Sequence, residues 1–207
     1  MPNNFRKPWP GPIDKDQGDL TTYLDDAIDL IDWQWDDPVH ATRIAHRCHP
    51  WQMGLFAIKV AHGELINGGF SQFLTNSYGE LAEEAVCGFR DFELYEFHDL
   101  FNEVFSLFPR PISKNRLERI HIFHKRFDIE DRVFQSVEEW NEKEREREGN
   151  ISTNVFEMAA PILDPFDDRY YNLIKLSKHD RWGRAGLEVP LSDFVDRHKE
   201  VFFNLNH

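Results

Sequence analysis

Leu24, Ile28, Ile31 and Trp35 recur at intervals of four, three and four residues, the spacing that puts apolar side chains on one stripe of a helix. The pattern predicts a helix from about Leu20 that the Asp37-Pro38 pair ends, because a residue preceding proline is pushed out of helical backbone. A second helix is expected from about Pro38 to Cys48. Trp51, Leu55, Ile58, His62 and Leu65 repeat the stripe, with Phe56 and Val60 widening it, and predict a third from Trp51 to Ile66. Phe70 to Ser77 gives two further turns closed by Gly79. Glu80 to Phe108 reads as a longer helical region, with Leu81, Ala85 and Phe89 on one face, Phe97, Phe101, Val104 and Phe108 on another, and Gly88 as its break point. Residues 114–148 are helix-prone and finish in EEWNEKEREREG, whose opposite charges three and four apart support an exposed helix. Val155 to Leu163 and Phe166 to Ser177 make two short helices, and Ser192 is placed to cap a last one carrying Phe194, Val195, His198, Val201 and Phe202. No segment alternates with the period of a strand and no repeat is present. The fold class is therefore all-α, a single compact helical domain over 19–207 behind an irregular N-terminal arm, residues 1–18, anchored by Trp9.

One interruption is unlike the others. In GELINGGFSQFLTNSYGE, residues 63–80, Asn67, Gly68 and Gly69 stop a helix, since each glycine weakens it by about 1 kcal/mol relative to alanine. In the turns that follow, a helical wheel puts Phe70, Phe73, Leu74 and Ser77 on one face, and Gln72 and Asn76 together on another. Phe70 and Phe73 are expected to be buried, and at least one glycine to have positive φ. Two readings of the amides follow. In one, Gln72 and Asn76 satisfy backbone groups exposed at the break, with Glu64 and Asn67 joining from the preceding turn. In the other, Glu64, Asn67, Gln72 and Asn76 surround a polar cleft that admits a ligand, with Glu64 as a general base.

Composition changes the picture mainly through charge. The net charge of -13 is concentrated: between Asp14 and Glu103 there are 18 Asp and Glu against 5 Lys and Arg. Such a field steers basic partners and disfavours direct nucleic-acid binding, which needs Lys and Arg to neutralise phosphates. Asp25, Asp29, Asp32 and Asp36 carry it as a stripe along the first predicted helix. If that stripe faces a partner, its carboxylates should be exposed, unpaired by Lys or Arg, and continuous with Glu80, Glu83 and Glu84. The plain alternative is a solvated acidic face.

The remaining chemistry is sparse. Phosphate-binding glycine loops, GxSxG and HExxH are absent. Glu118, His121 and His124 share a helix face, but the second Glu-x-x-His that a di-iron bundle requires is missing. His46, Cys48 and His49 lack a fourth ligand for a closed zinc site. No metal and no cofactor are expected. Cys48 and Cys87 read as ordinary buried thiols of a reducing compartment, no membrane span is expected, and the expected location is cytoplasmic.

The corner also carries a resemblance. Glu64, the NGGF of residues 67–70, Gln72-Phe73, Asn76-Ser77 and Gly79 resemble the signature of a bacterial family, catalogued as a domain of unknown function and also named after a DNA-mimic protein. LDPFDDRYYNLIK, residues 163–175, resembles its second block and DFVDRHKEVFF, residues 193–203, its closing helix, so that the similarity spans roughly 51–207. The resemblance implies an all-helical domain that presents carboxylates in place of DNA phosphates. The expected function is accordingly a non-enzymatic acidic interaction protein, a DNA mimic binding the basic surface of a DNA-binding protein. A small-molecule-binding protein or hydrolase with its site at the Gly68-Gly69 corner, and an immunity-type protein neutralising a basic toxin, are the alternatives. The oligomeric state is left open, a homodimer included.

Overall fold

The computed structural model describes residues 6–12, 20–29, 31, 33, 43–126, 152–174 and 184–205, with the side chains at 124, 152–161, 184 and 185 outside that description. Its organising element is a long helix, α2 (Pro50–Thr75), preceded by α1 (Leu20–Asp26). His49 caps α2: its Nδ1 accepts from the Trp51 N–H at 3.2 Å, and the His49 N–H donates to Gln52 Oε1 at 3.3 Å, a reciprocal arrangement that satisfies two otherwise orphaned donors. A 3-10 turn (Ser77–Leu81) leads into α3 (Ala82–Asp91) and α4 (Tyr95–Phe105), followed by α5 (Arg116–Arg126), α6 (Ser152–Ile174), a π-helical turn (Arg184–Glu188), α7 (Val189–Arg197) and α8 (Lys199–Phe202). The protein is all-α, as its periodicity predicts. A lone bridge between Pro8 and Asn204 is the one β pairing among the described residues.

Side chains from α1 through α8 contribute to one core cluster. At its centre Phe70, Phe73, Phe89, Phe97, Phe101, Phe105 and Tyr170 pack ring on ring, with Phe89 and Phe101 centroids 4.7 Å apart. Tilted and edge-on pairs of this kind add about 0.5–1.5 kcal/mol each beyond the area they bury.

Several boundaries differ from those the pattern predicts. α1 ends at Asp26, with residues 27–29 in a turn, so Asp25 and Asp29 do not share a helix; Asp32 and Asp36 lie outside the described residues. Like charges at helical spacing oppose continuation of that helix, and Lys7 and Lys59 draw the carboxylates into separate ion pairs. The expected break at Gly88 falls instead at Glu93, whose φ is 63°. There Leu94 N–H bonds Phe89 O at 2.8 Å, the six-to-one closure of a helix C-terminus. Gly88 stays helical because it is where α3 meets α2: a Cβ on Gly54 would lie 2.9 Å from Gly88 Cα. The two helices expected on either side of Pro165 are one, α6. Ser192 is no cap: α7 begins before it, and its hydroxyl donates back to Glu188 O at 2.7 Å. Cys48 is buried as expected and burial pushes its thiol up to about 11, but Cys87 is exposed, because α3 turns Ala82, Ala85, Val86 and Phe89 inward. The predicted helix past Arg126 and its charge run lie outside the described residues.

Candidate functional site

The helical path of α2 breaks where the sequence says it must. Gly68 has extended backbone (φ -162°, ψ 22°) and Gly69 adopts φ 70°, ψ -168°, a region essentially reserved for glycine. Asn67 and Gly68 are exposed at the outside of the bend. Phe70 and Phe73 beyond it have no exposed surface.

The amides do not satisfy the broken backbone, as one reading has it. Gln72 Nε2 and Asn76 Nδ2 both donate to Glu64 Oε2, at 3.1 and 2.7 Å, which closes a polar triad across the bend around a carboxylate only 8% exposed. Both amide donors are spent on that one oxygen, which fixes the Glu64 carboxylate across the bend. A Cβ on Gly68 would meet Gln72 Oε1 at 2.2 Å, so the glycine leaves the room in which this triad forms.

The backbone groups freed by the bend are satisfied from a distant helix. Asp167 of α6 accepts the Phe70 N–H at 2.8 Å through Oδ1, and the Tyr171 hydroxyl donates to Leu65 O at 3.0 Å. The Tyr170 hydroxyl lies 2.8 Å from His62 Nδ1. Asp167 fits because Gly69 has no side chain: a Cβ there would lie 2.3 Å from Asp167 Oδ2. Burial pushes the Asp167 carboxyl up to about 6, against the Phe70 N–H, which favours the charged form, and with Asp164 and Asp168 adding to the rise. Burial also raises both tyrosines.

The far end of the motif is held by α5. Arg119, 4% exposed, donates through Nε to Leu74 O at 3.0 Å and through Nη2 to Asn76 O at 2.6 Å and Ser77 O at 3.3 Å, a guanidinium fork fitted to the last carbonyls of a helix. A Cβ on Gly79 would lie 2.8 Å from Arg119 Nε and 2.6 Å from Phe73 O, which accounts for the glycine that closes the motif. Sequence reasoning missed Arg119, whose neighbours Glu118 and His121 drew attention as ligands. Among the described residues no three His, Cys, Asp or Glu side chains are grouped to hold a metal.

The acids divide into two populations. Asp25 pairs with Lys59 at 3.2 Å, and Asp26 and Asp29 with Lys7 at 2.9 and 2.7 Å, so the expectation of an unpaired stripe does not hold at its first two members. Glu80 is buried and accepts from Trp33 Nε1, Glu83 pairs with Arg110, and Glu84 pairs with Lys114; these three form internal clasps rather than an extension of the stripe. The other population is on α4 and α6. Glu96, Asp99 and Glu103 are exposed within about 60° of one another on the α4 wheel, and Asp164 and Asp168 are exposed one turn apart on α6. Arg169 joins the two helices through Glu103 at 2.7 Å. Among the described residues, Glu96, Asp164 and Asp168 have no basic partner.

A protein-family model described as DMP19-like protein matches residues 46–185. The match takes in the corner, Arg119 and α6, and stops before the block at 193–203. No curated protein and no solved structure matches the chain. No helix among the described residues is long and apolar enough to cross a membrane.

Proposed function

The chain belongs to the DMP19-like protein family, a family of DNA mimics, and on that footing we propose that it is a non-enzymatic DNA mimic whose carboxylates occupy the basic surface of a DNA-binding protein. The observation that carries this reading is the outer face of α4 and α6, where Glu96, Asp99, Glu103, Asp164 and Asp168 stand exposed on two packed helices. A duplex offers two lines of phosphate, and two rows of carboxylate suit such a target better than the single stripe along residues 25–36. Surface acids left without basic neighbours keep their field for a partner, whereas those paired to Lys7 and Lys59 are largely neutralised at short range.

The test uses purified basic DNA-binding proteins against the immobilised chain, with duplex DNA as competitor and salt varied. Support requires binding that duplex DNA displaces, that falls steeply with salt, and that the combined variant Glu96→Gln, Asp99→Asn, Glu103→Gln, Asp164→Asn, Asp168→Asn loses. Binding that duplex DNA leaves untouched points to an immunity-type partner and sinks the mimic reading. Replacing Asp25, Asp29, Asp32 and Asp36 by Asn in a parallel variant decides which acidic surface is used. The alternative of a small-molecule or hydrolytic site at the corner draws no support from Glu64, whose carboxylate already serves two amides.

A further inference from the structure

We propose that Asp167 is a proton-operated latch that fastens α6 onto the corner of α2. The side chain sits where Gly69 leaves space, accepts the Phe70 N–H at 2.8 Å, and has no basic partner among the described residues. The groups that face it can be named from both elements. α2 supplies the Phe70 N–H, while its own titratable groups His62 and Glu64 are engaged elsewhere, by Tyr170 and by Gln72 and Asn76. α6 supplies Asp164 and Asp168, both negative, and the Tyr171 hydroxyl, which is committed to Leu65 O. The carboxylate is thus inserted into a half-buried seat with two like charges beside it and a single N–H in front. A proton is the counter-charge that this seat accepts without rearrangement, since protonated Asp167 still offers an oxygen to Phe70.

The sign follows from comparing the seated with the released carboxyl. Released into water it returns toward its ordinary range near 3.8, whereas seated it titrates at about 6, so the latched state takes up a proton between these limits. Latching is strongest below that window and weakens as pH rises through 6; by linkage the seated state gains about tenfold in population ratio between pH 7 and pH 5. The same helix carries Asp164 and Asp168 on its outer surface, so the latch ties the seating of that surface to pH. This inference is independent of the partner and goes beyond the mimic reading.

Amide hydrogen exchange on the full chain, followed residue by residue and corrected for intrinsic rates, tests it. Protection of the Phe70 amide should rise about tenfold from pH 7 to pH 5 in the native protein and stay flat in Asp167→Asn. A flat native profile overturns the latch, and so does an equal rise in the variant, which would hand the effect to His62. Should Asp167→Asn fail to fold, the titration of the Asp167 carboxyl carbon in the native chain decides: a midpoint near 6 supports the latch, and one in the ordinary carboxylate range overturns it.

Discussion

The corner of α2 and the outer face of α4 and α6 are both rich in carboxylates, and they use them in opposite ways. Glu64 is buried and Asp167 half-buried, and each is met by donors at fixed geometry: two amides in one case and a main-chain N–H in the other. Glu96, Asp164 and Asp168 are exposed and have no basic partner among the described residues. An acid in the first setting specifies where two segments of chain meet, because a buried charge without its donors costs several kcal/mol. An acid in the second contributes almost nothing to folding and everything to the field outside. The total of -13 says nothing of this division, which depends on which acids have partners.

The sharpest way to break the corner is Gly69→Ala. The residue would have to hold a backbone conformation that costs about 1–3 kcal/mol for any side chain, and its Cβ would evict Asp167 from 2.3 Å away, with a further loss of about 1 kcal/mol for the Phe70 bond. A destabilisation of about 3 kcal/mol or more is expected in denaturant unfolding. Gly68→Ala should cost distinctly less, since its backbone is extended and only the Gln72 side chain has to move. Equal effects at the two glycines would show that the corner is a generic bend rather than a fitted seat for α6.

Next in size is Arg119→Met, which keeps the length of the side chain and removes the donors from the carbonyls of Leu74, Asn76 and Ser77. Charge-assisted bonds to buried acceptors are worth about 1.5–3 kcal/mol, so a loss of about 2–3 kcal/mol is expected by thermal unfolding. Arg119→Lys should recover little of it, because a point charge cannot reproduce the fork.

These two sites also mark what the sequence does and does not reveal. Gly68 and Gly69 announce the bend, and the spacing of Phe70 and Phe73 announces which side turns inward, because both are local rules of backbone and periodicity. The same periodicity picks out Phe97, Phe101 and Val104 on α4. The partners that complete the corner are another matter: Asp167 lies 97 residues from Phe70, and Arg119 lies 45 from Leu74. A single sequence carries no signal for pairing over such distances, and the resemblance of residues 163–175 to a family block marks the segment without saying what it touches. The expectation of an unpaired stripe fails at Asp25 and Asp29 for a related reason. Helical spacing from Asp25 to Asp36 is visible, but Lys7 and Lys59 reach Asp29 and Asp25 from other segments.

A smaller effect separates the start of α2 from its corner. His49 caps the helix through an unprotonated Nδ1, and burial, with Arg6 assisting, lowers its readiness to take a proton. Because the folded form prefers the neutral ring, the cap is fully present above the unfolded value near 6.5 and is lost as pH falls through the lower folded value. A cap is worth about 1 kcal/mol, and the loss on acidification approaches this as the ring takes up its proton. Asp167 runs the other way and gains on acidification, so the quantity to measure is the difference between the native chain and His49→Asn, whose amide caps at every pH. If that difference is the same at pH 7.5 and pH 5, the ring nitrogen is not the acceptor that starts the helix.

The smallest expected change in stability falls on the outer face, and there the smallness is the point. Neutralising Glu96, Asp99, Glu103, Asp164 and Asp168 removes the ion pair of Glu103 with Arg169, whose two side chains are about half exposed, and the contact of Asp99 with His98, and an exposed pair contributes about 0–1 kcal/mol. Relief of repulsion between Asp164 and Asp168, one turn apart, and between either and Asp167 acts in the opposite direction. The two contributions should nearly cancel, leaving the unfolding midpoint within about 0.5 kcal/mol of the native value, while association with a basic partner slows and loses its dependence on salt, since attraction between exposed charges is screened over about 8 Å at physiological ionic strength. A neutralised variant that unfolds much more easily would place these acids with Glu64 and Asp167, as part of the fold. One that keeps both its stability and its salt-dependent binding would leave the outer face with no role in recognition, and the contrast between the two acidic regions would then have to be sought among the acids of residues 25–36.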